Sequence, residues 1–102
     1  MNIVSNYYIS IIKLNHLFYI WFYMKILKIF EEKLRYKNYS ERSITLYVSY
    51  LSFFLKEERI KDPYQITTNR IVSFLENKSY TSISQQNQYI GCLKFIYTFL
   101  FK

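Results

Sequence analysis

A chain of 102 residues, 51% hydrophobic and 22% aromatic, has room for one small domain with one core, and it is too apolar for wholesale disorder. One glycine and one proline exclude a sandwich or barrel, whose many turns need Gly, Pro, Asn and Asp, and leave a few long helices. A net charge of +7 favours nucleic acid or an anionic membrane as partner, while the lone Cys92 and the lone His16 exclude an internal disulfide and a zinc cluster.

Residues 1–24 are apolar and nearly uncharged, and three readings of them stand. A membrane-spanning helix is the weakest. Lys13, Asn15 and His16 sit mid-segment, where a charge costs a few kcal/mol, and the unbroken apolar run covers only Leu17 to Met24. A signal peptide fits poorly, because its positive end should come first. The segment is otherwise an extra hydrophobic helix or arm packed on the domain, or upstream sequence with translation starting at Met24. Of the fourteen basic residues only Lys13 precedes Met24, so +6 of the charge lies on residues 25–102.

From Lys25 the chain turns amphipathic. A first helix is expected over about 24–37, with Ile26, Phe30 and Leu34 recurring every fourth residue and Leu27 beside them. Glu31 and Arg35 make an i, i+4 pair on its outside, and Asn38 and Tyr39 end it. Ser40 is a good N-cap for a second helix over about 41–58. Its apolar stripe is Ile44, Tyr47, Val48, Leu51, Phe54 and Leu55. Tyr50 and Phe53 lie off the stripe centre and are assigned to the first helix or the N-terminal segment. Residues 59–64 form a loop, since Pro63 disfavours helix at Asp62. Thr67 or Thr68 caps a short third helix, about 68–77, facing inward with Ile71, Phe74 and Leu75.

The last helix starts at Ser82 or Ser84 and runs to the end. Ile83, Gln86, Tyr89, Ile90, Leu93, Ile96, Tyr97 and Leu100 mark its expected inner face, and Cys92 reads as a buried or half-buried thiol. Ser84, Asn87, Gly91, Lys94 and Thr98 form one polar stripe, bordered by Gln85 and Gln88. Any surface helix has a solvated face, and this stripe fits that reading too. It holds no carboxylate, however, and its amide, hydroxyl and ammonium groups are those that meet phosphates and base edges. Gly91 costs about 1 kcal/mol in a helix interior; close approach of DNA or of another helix would explain it.

The order of these motifs is familiar. Asn38-Tyr39-Ser40-Glu41-Arg42-Ser43-Ile44-Thr45-Leu46-Tyr47-Val48-Ser49-Tyr50-Leu51, then Lys61-Asp62-Pro63 with Ile66-Thr67 and Ile71-x-x-Phe74-Leu75, then Ser84-x-x-Asn87-x-x-Ile90-x-x-Leu93-Lys94-x-x-Tyr97, are similar to a known pattern. On them residues 25–102 resemble the SAM-like core-binding domain of phage integrases, the tyrosine recombinases. Each motif alone is weak, and their order and spacing are what carry the resemblance.

The resemblance implies an all-α, four-helix SAM-like bundle that forms one jaw of a clamp around double-stranded DNA. It makes Arg42, Ser43 and Thr45 on the second helix, and Ser82, Ser84, Gln85, Asn87 and Lys94 on the fourth, DNA contacts. Ser40, Ser82 and Ser84 also read simply as helix caps. The implied partners are duplex DNA and further recombinase protomers on it, in a bacterial cytoplasm, with no cofactor, metal or small-molecule ligand. The family's chemistry lies in a second domain with Arg, Lys, His-x-x-Arg and a nucleophilic Tyr. That arrangement does not occur in these residues, so the expectation is a fragment that neither cleaves nor joins DNA.

Two other functions stay open: a small helical protein-interaction module using the aromatic surplus, and a membrane-associated protein using residues 1–24. The placement of Lys and Arg discriminates, because one basic face on the second and fourth helices points to DNA and scattered charge to interaction.

Overall fold

Helix breaks in this chain fall where capping side chains and left-handed residues stand. The computed structural model describes the backbone of residues 3–101 and the side chains of residues 17–100. Among these residues there are four α-helices and no strand: α1 (Ile3–Tyr36), α2 (Glu41–Glu57), α3 (Thr68–Asn77) and α4 (Ile83–Phe101). A 3-10 turn, Pro63–Gln65, interrupts the expected loop, where the Asp62 carboxylate accepts the Tyr64 N–H at 2.9 Å. The bundle is all-α.

Each helix after the first begins on a hydroxyl that takes up an N–H left orphaned by helix geometry. Ser40 Oγ accepts from Ser43 at 3.1 Å, Thr67 Oγ1 from Arg70 at 3.2 Å and Ser82 Oγ from Gln85 at 3.0 Å. Thr67 and Ser82 are therefore the caps, and Thr68 and Ser84 are not.

The ends of α1 and α2 share one device. Tyr39 N–H reaches Leu34 C=O at 3.1 Å and Asn38 N–H reaches Arg35 C=O at 3.0 Å, with Asn38 left-handed at φ 64°. Ile60 N–H to Leu55 C=O at 3.0 Å and Arg59 N–H to Lys56 C=O at 3.2 Å repeat the motif, with Arg59 at φ 52°. Asparagine tolerates this region, whereas arginine holds a strained Cβ there. Arg59→Gly is thus expected to stabilise the fold by about 0.5–1 kcal/mol, read from urea denaturation.

The first helix departs from its expected start. It is continuous from Ile3 to Tyr36, 34 residues, or about 51 Å at 1.5 Å per residue. No Gly, Pro or capping break separates residues 3–24 from residues 25–36. The side chains of residues 1–16, among them Lys13, Asn15 and His16, lie outside the described residues.

α2 is the centre of the bundle. It runs antiparallel to α1, since Tyr23 hydrogen-bonds Ser52 near one end and Arg35 pairs with Glu41 near the other. It is antiparallel to α4 as well: Tyr50 stacks on Tyr89 at 3.9 Å, and Cys92 Sγ donates to Tyr47 C=O at 3.3 Å. The expected stripes are buried at Ile26, Phe30 and Leu34, at Ile44, Leu51, Phe54 and Leu55, and at Ile71 and Phe74. Ile60 and Ile66, from the α2–α3 connection, complete the core.

Two expectations about facing fail here. Among the described residues the ring contacts of Tyr50 and Phe53 run to Tyr89 of α4 and Phe74 of α3, and no ring contact to α1 stands beside them. With α1 on one flank and α3 and α4 on the other, α2 buries more than one stripe can carry. On α4 the inner face is Tyr89, Cys92, Leu93 and Ile96, whereas Ile83 is 76% exposed and Gln86 and Tyr97 are also exposed. Ile83 sits in the first turn of α4, and Gln86 and Tyr97 fall outside the arc that meets α2.

Burial also sets an alkaline limit. It pushes the Tyr89 hydroxyl from its ordinary value of 10 up to about 12, with Tyr50 and Cys92 adding to the shift. Burial raises the Cys92 thiol in the same direction. Both groups bind their protons more tightly folded than unfolded, so their contribution is complete below the unfolded values and is lost as pH rises. The melting temperature should fall from about pH 9, where the unfolded thiol titrates, and most steeply between about pH 10 and 12 as Tyr89 adds its part. Tyr89→Phe should flatten that fall, and an unchanged slope would exclude Tyr89 as its source.

Candidate nucleic-acid interface

The polar stripe of α4 is the starting point. Ser84, Asn87, Lys94 and Thr98 are exposed, and Ser84, Asn87 and Lys94 make no hydrogen bond or ion pair with the described residues. Lys94 lies about 15 Å along the helix from Ser84, ten residues on.

Gly91 proves to be a packing residue. A Cβ there would stand 3.2 Å from the Tyr47 hydroxyl, so glycine lets α2 lay its tyrosine across α4. Tyr47 in turn touches Tyr39, which also packs edge-on against Phe95. The start of α2 is thereby fixed beside the Lys94 end of α4, where exposed Arg42 and Thr45 make no hydrogen bond or ion pair with the described residues.

Ser43, Ser82 and Gln85 are engaged. The Ser40 hydroxyl donates to Ser43 Oγ at 3.0 Å. Ser82 caps α4, and Gln85 Oε1 accepts the N–H of Thr81, the residue before the cap, at 2.9 Å. Because α2 and α4 are antiparallel, Ser82, Ser84 and Gln85 sit at the end away from Arg42 and Lys94. The structure therefore groups Arg42, Ser43, Thr45 and Lys94 at one end, sets Asn87 between, and leaves the serine cluster at the other.

Lys33 and Lys37 were missed from the sequence. They line a groove between α1 and α4 together with Gly91, Lys94, Phe95, Thr98 and Phe99. Lys33 Nζ is held over the Phe99 ring at 5.6 Å and the Tyr36 ring at 5.7 Å, which places the charge without neutralising it. None of the described residues lining the groove is a carboxylate. The nearby acids Glu31 and Glu41 both pair with Arg35, whose guanidinium pKa rises, chiefly through its bond to Glu41. Lysines in the last turn of a helix suit its negative end, which was the only local signal and gave no hint of Lys94.

Charge is not confined to this face. Lys78 packs against Tyr89 at 4.8 Å, Phe53 at 4.9 Å and Tyr80 at 5.5 Å, and Arg70 donates to Glu58 C=O at 3.0 Å. These two serve the fold.

The Tyr23, Tyr50 and Tyr80 hydroxyls hydrogen-bond to Ser52, Gln88 and Leu75 C=O. Burial raises the hydroxyl pKa of Tyr47, Tyr80 and Tyr89, the direction opposite to activation of a nucleophile. Among the described residues no group of three or more His, Cys, Asp or Glu is placed to hold a metal, and no helix is long and apolar enough to cross a membrane.

A family model described as phage integrase, N-terminal SAM-like domain, matches residues 26–102. No curated protein and no solved structure matches the chain.

Proposed function

This chain belongs to the phage integrase N-terminal SAM-like domain family, and from that membership we propose that residues 25–102 are a core-binding module that clamps duplex DNA, with residues 1–24 as an appended segment. The observation that carries the reading is the convergence of Lys33, Lys37 and Lys94 on one groove whose described lining holds no carboxylate. Phosphates attract such a cluster, and affinity comes from the counterions they release. Arg42 and Thr45 at the start of α2, and Asn87 and Ser84 along α4, extend the contact in both directions. Ser43, Ser82 and Gln85 act mainly as caps that hold the two helix starts in place. The role is binding, carried out on DNA in the cytoplasm, with cleavage left to the family's separate catalytic domain.

The test is a titration of the full chain onto duplex DNA across salt concentrations. Three to five phosphate contacts give a log–log slope of about −3 to −4, and roughly a hundredfold loss of affinity between about 50 and 200 mM salt. A folded protein that leaves DNA unbound at low salt would overturn the proposal.

A further inference from the structure

α1 carries a second surface that DNA binding does not use. Leu17, Trp21 and Met24 are 61%, 63% and 64% exposed. With Lys28 they follow the spacing i, i+4, i+7, i+11, which is one face of a helix. Phe18 and Ile20 flank this row and are also exposed. Large apolar side chains grouped like this mark an interaction surface.

Cations border the row on both sides. Trp21 lines one cleft with Phe18, Phe22, Arg59 and Lys61, and a second with Met24, Lys25 and Lys28. Four cations in these clefts outnumber two acids, Asp62 and Glu31, and Glu31 is already paired with Arg35. The surface is therefore apolar at its centre and positive at its rim.

We propose that this face of α1 rests on an anionic lipid membrane surface, with Leu17, Phe18, Trp21 and Met24 entering the headgroup region and Lys25, Lys28, Arg59 and Lys61 meeting lipid phosphates. Three occupants compete for such a face. A second copy would bring the same cations against each other. DNA would satisfy the cations and leave the apolar row in water. An anionic bilayer answers both, since tryptophan beside lysine is the side-chain chemistry of the membrane interface. The helix lies on the surface and does not span it, in keeping with the absence of a spanning helix among the described residues.

Trp21 is the chain's one tryptophan, so its emission reports on this face alone. Vesicles of phosphatidylcholine containing phosphatidylglycerol should shift the emission of the full chain to shorter wavelength and carry the protein down on sedimentation. Pure phosphatidylcholine vesicles should bind at least about tenfold more weakly, given several cations each contributing about fivefold. Met24→Glu should abolish binding with helicity unchanged. Lys28→Gln should weaken it about fivefold. Arg59→Gly should do the same although it is expected to stabilise the fold, which separates lost binding from unfolding. Lys94→Glu should leave vesicle binding unchanged, so this proposal and the DNA reading fail separately. The proposal is overturned if anionic vesicles leave Trp21 unshifted, if neutral vesicles bind equally well, if the shift follows protein concentration without lipid, or if duplex DNA produces it.

Discussion

Lys94→Glu is expected to weaken duplex-DNA binding roughly tenfold at low salt and to reduce the magnitude of the salt slope by at least about one. Lys94 is exposed and unpaired among the described residues, so the fold loses nothing when it changes. The new carboxylate would stand in the groove that Lys33 and Lys37 share, repelling phosphate and pairing with the remaining lysines. Replacing all three by glutamate should remove salt-dependent binding. Because phosphate contacts carry no sequence information, the loss should be the same on unrelated duplexes. A Lys94→Glu protein that binds as tightly as the parent, with the same slope, would sink the α1–α4 groove as the phosphate site. The measurement is fluorescence anisotropy on a labelled duplex, with helicity checked alongside.

Phe54→Ala is expected to cost about 3–5 kcal/mol and to leave the protein largely unfolded. Phe54 has no exposed surface, and its ring packs edge-on to Phe74 at 5.1 Å. It joins α2 to α3 at the centre of a core that a small domain cannot enlarge elsewhere. Its neighbour Phe53 provides the contrast: the ring is 40% exposed and leans on Phe74 from outside at 6.0 Å. Phe53→Ala should therefore cost about 1 kcal/mol. Urea denaturation distinguishes the two. Equal midpoints for both variants would mean that the core is not centred where the α2–α3 contact lies.

The lysine groove and the aromatic face of α1 are separate surfaces joined by one rigid helix. Lys33 and Lys37 lie at its C-terminal end and Leu17, Trp21 and Met24 towards its N-terminal half. The distance from residue 17 to residue 37 is about 30 Å along the axis. A module bound to DNA through one end thus keeps the other accessible.

Local physics was enough for much of this fold. Ser40, and Thr67 or its neighbour Thr68, read as caps because a hydroxyl before an apolar repeat satisfies orphan N–H groups whatever lies further off. The bounds of α2 and α3, and the stripe Ile26, Phe30 and Leu34, came from 3.6-residue periodicity. Arg42, Asn87 and Lys94 were readable as exposed polar groups for the same reason. Facing was the harder matter. α4 is apolar almost all round, so its periodicity alone could not rank Cys92 above Ile83 or Tyr97. Tyr50 and Phe53 looked peripheral until α2 acquired neighbours on both flanks. Gly91 needed Tyr47, 44 positions earlier, to account for it. Lys33 and Lys37 needed α1 and α4 to lie side by side before they could join Lys94. The sequence by itself determined the helical run from residue 25 onward and narrowed each cap to one or two hydroxyls, because those depend on residues a few positions apart. Only the tertiary structure decided which faces are shared and which cations converge, because burial and electrostatic fields act between residues that are distant in the chain and close in space.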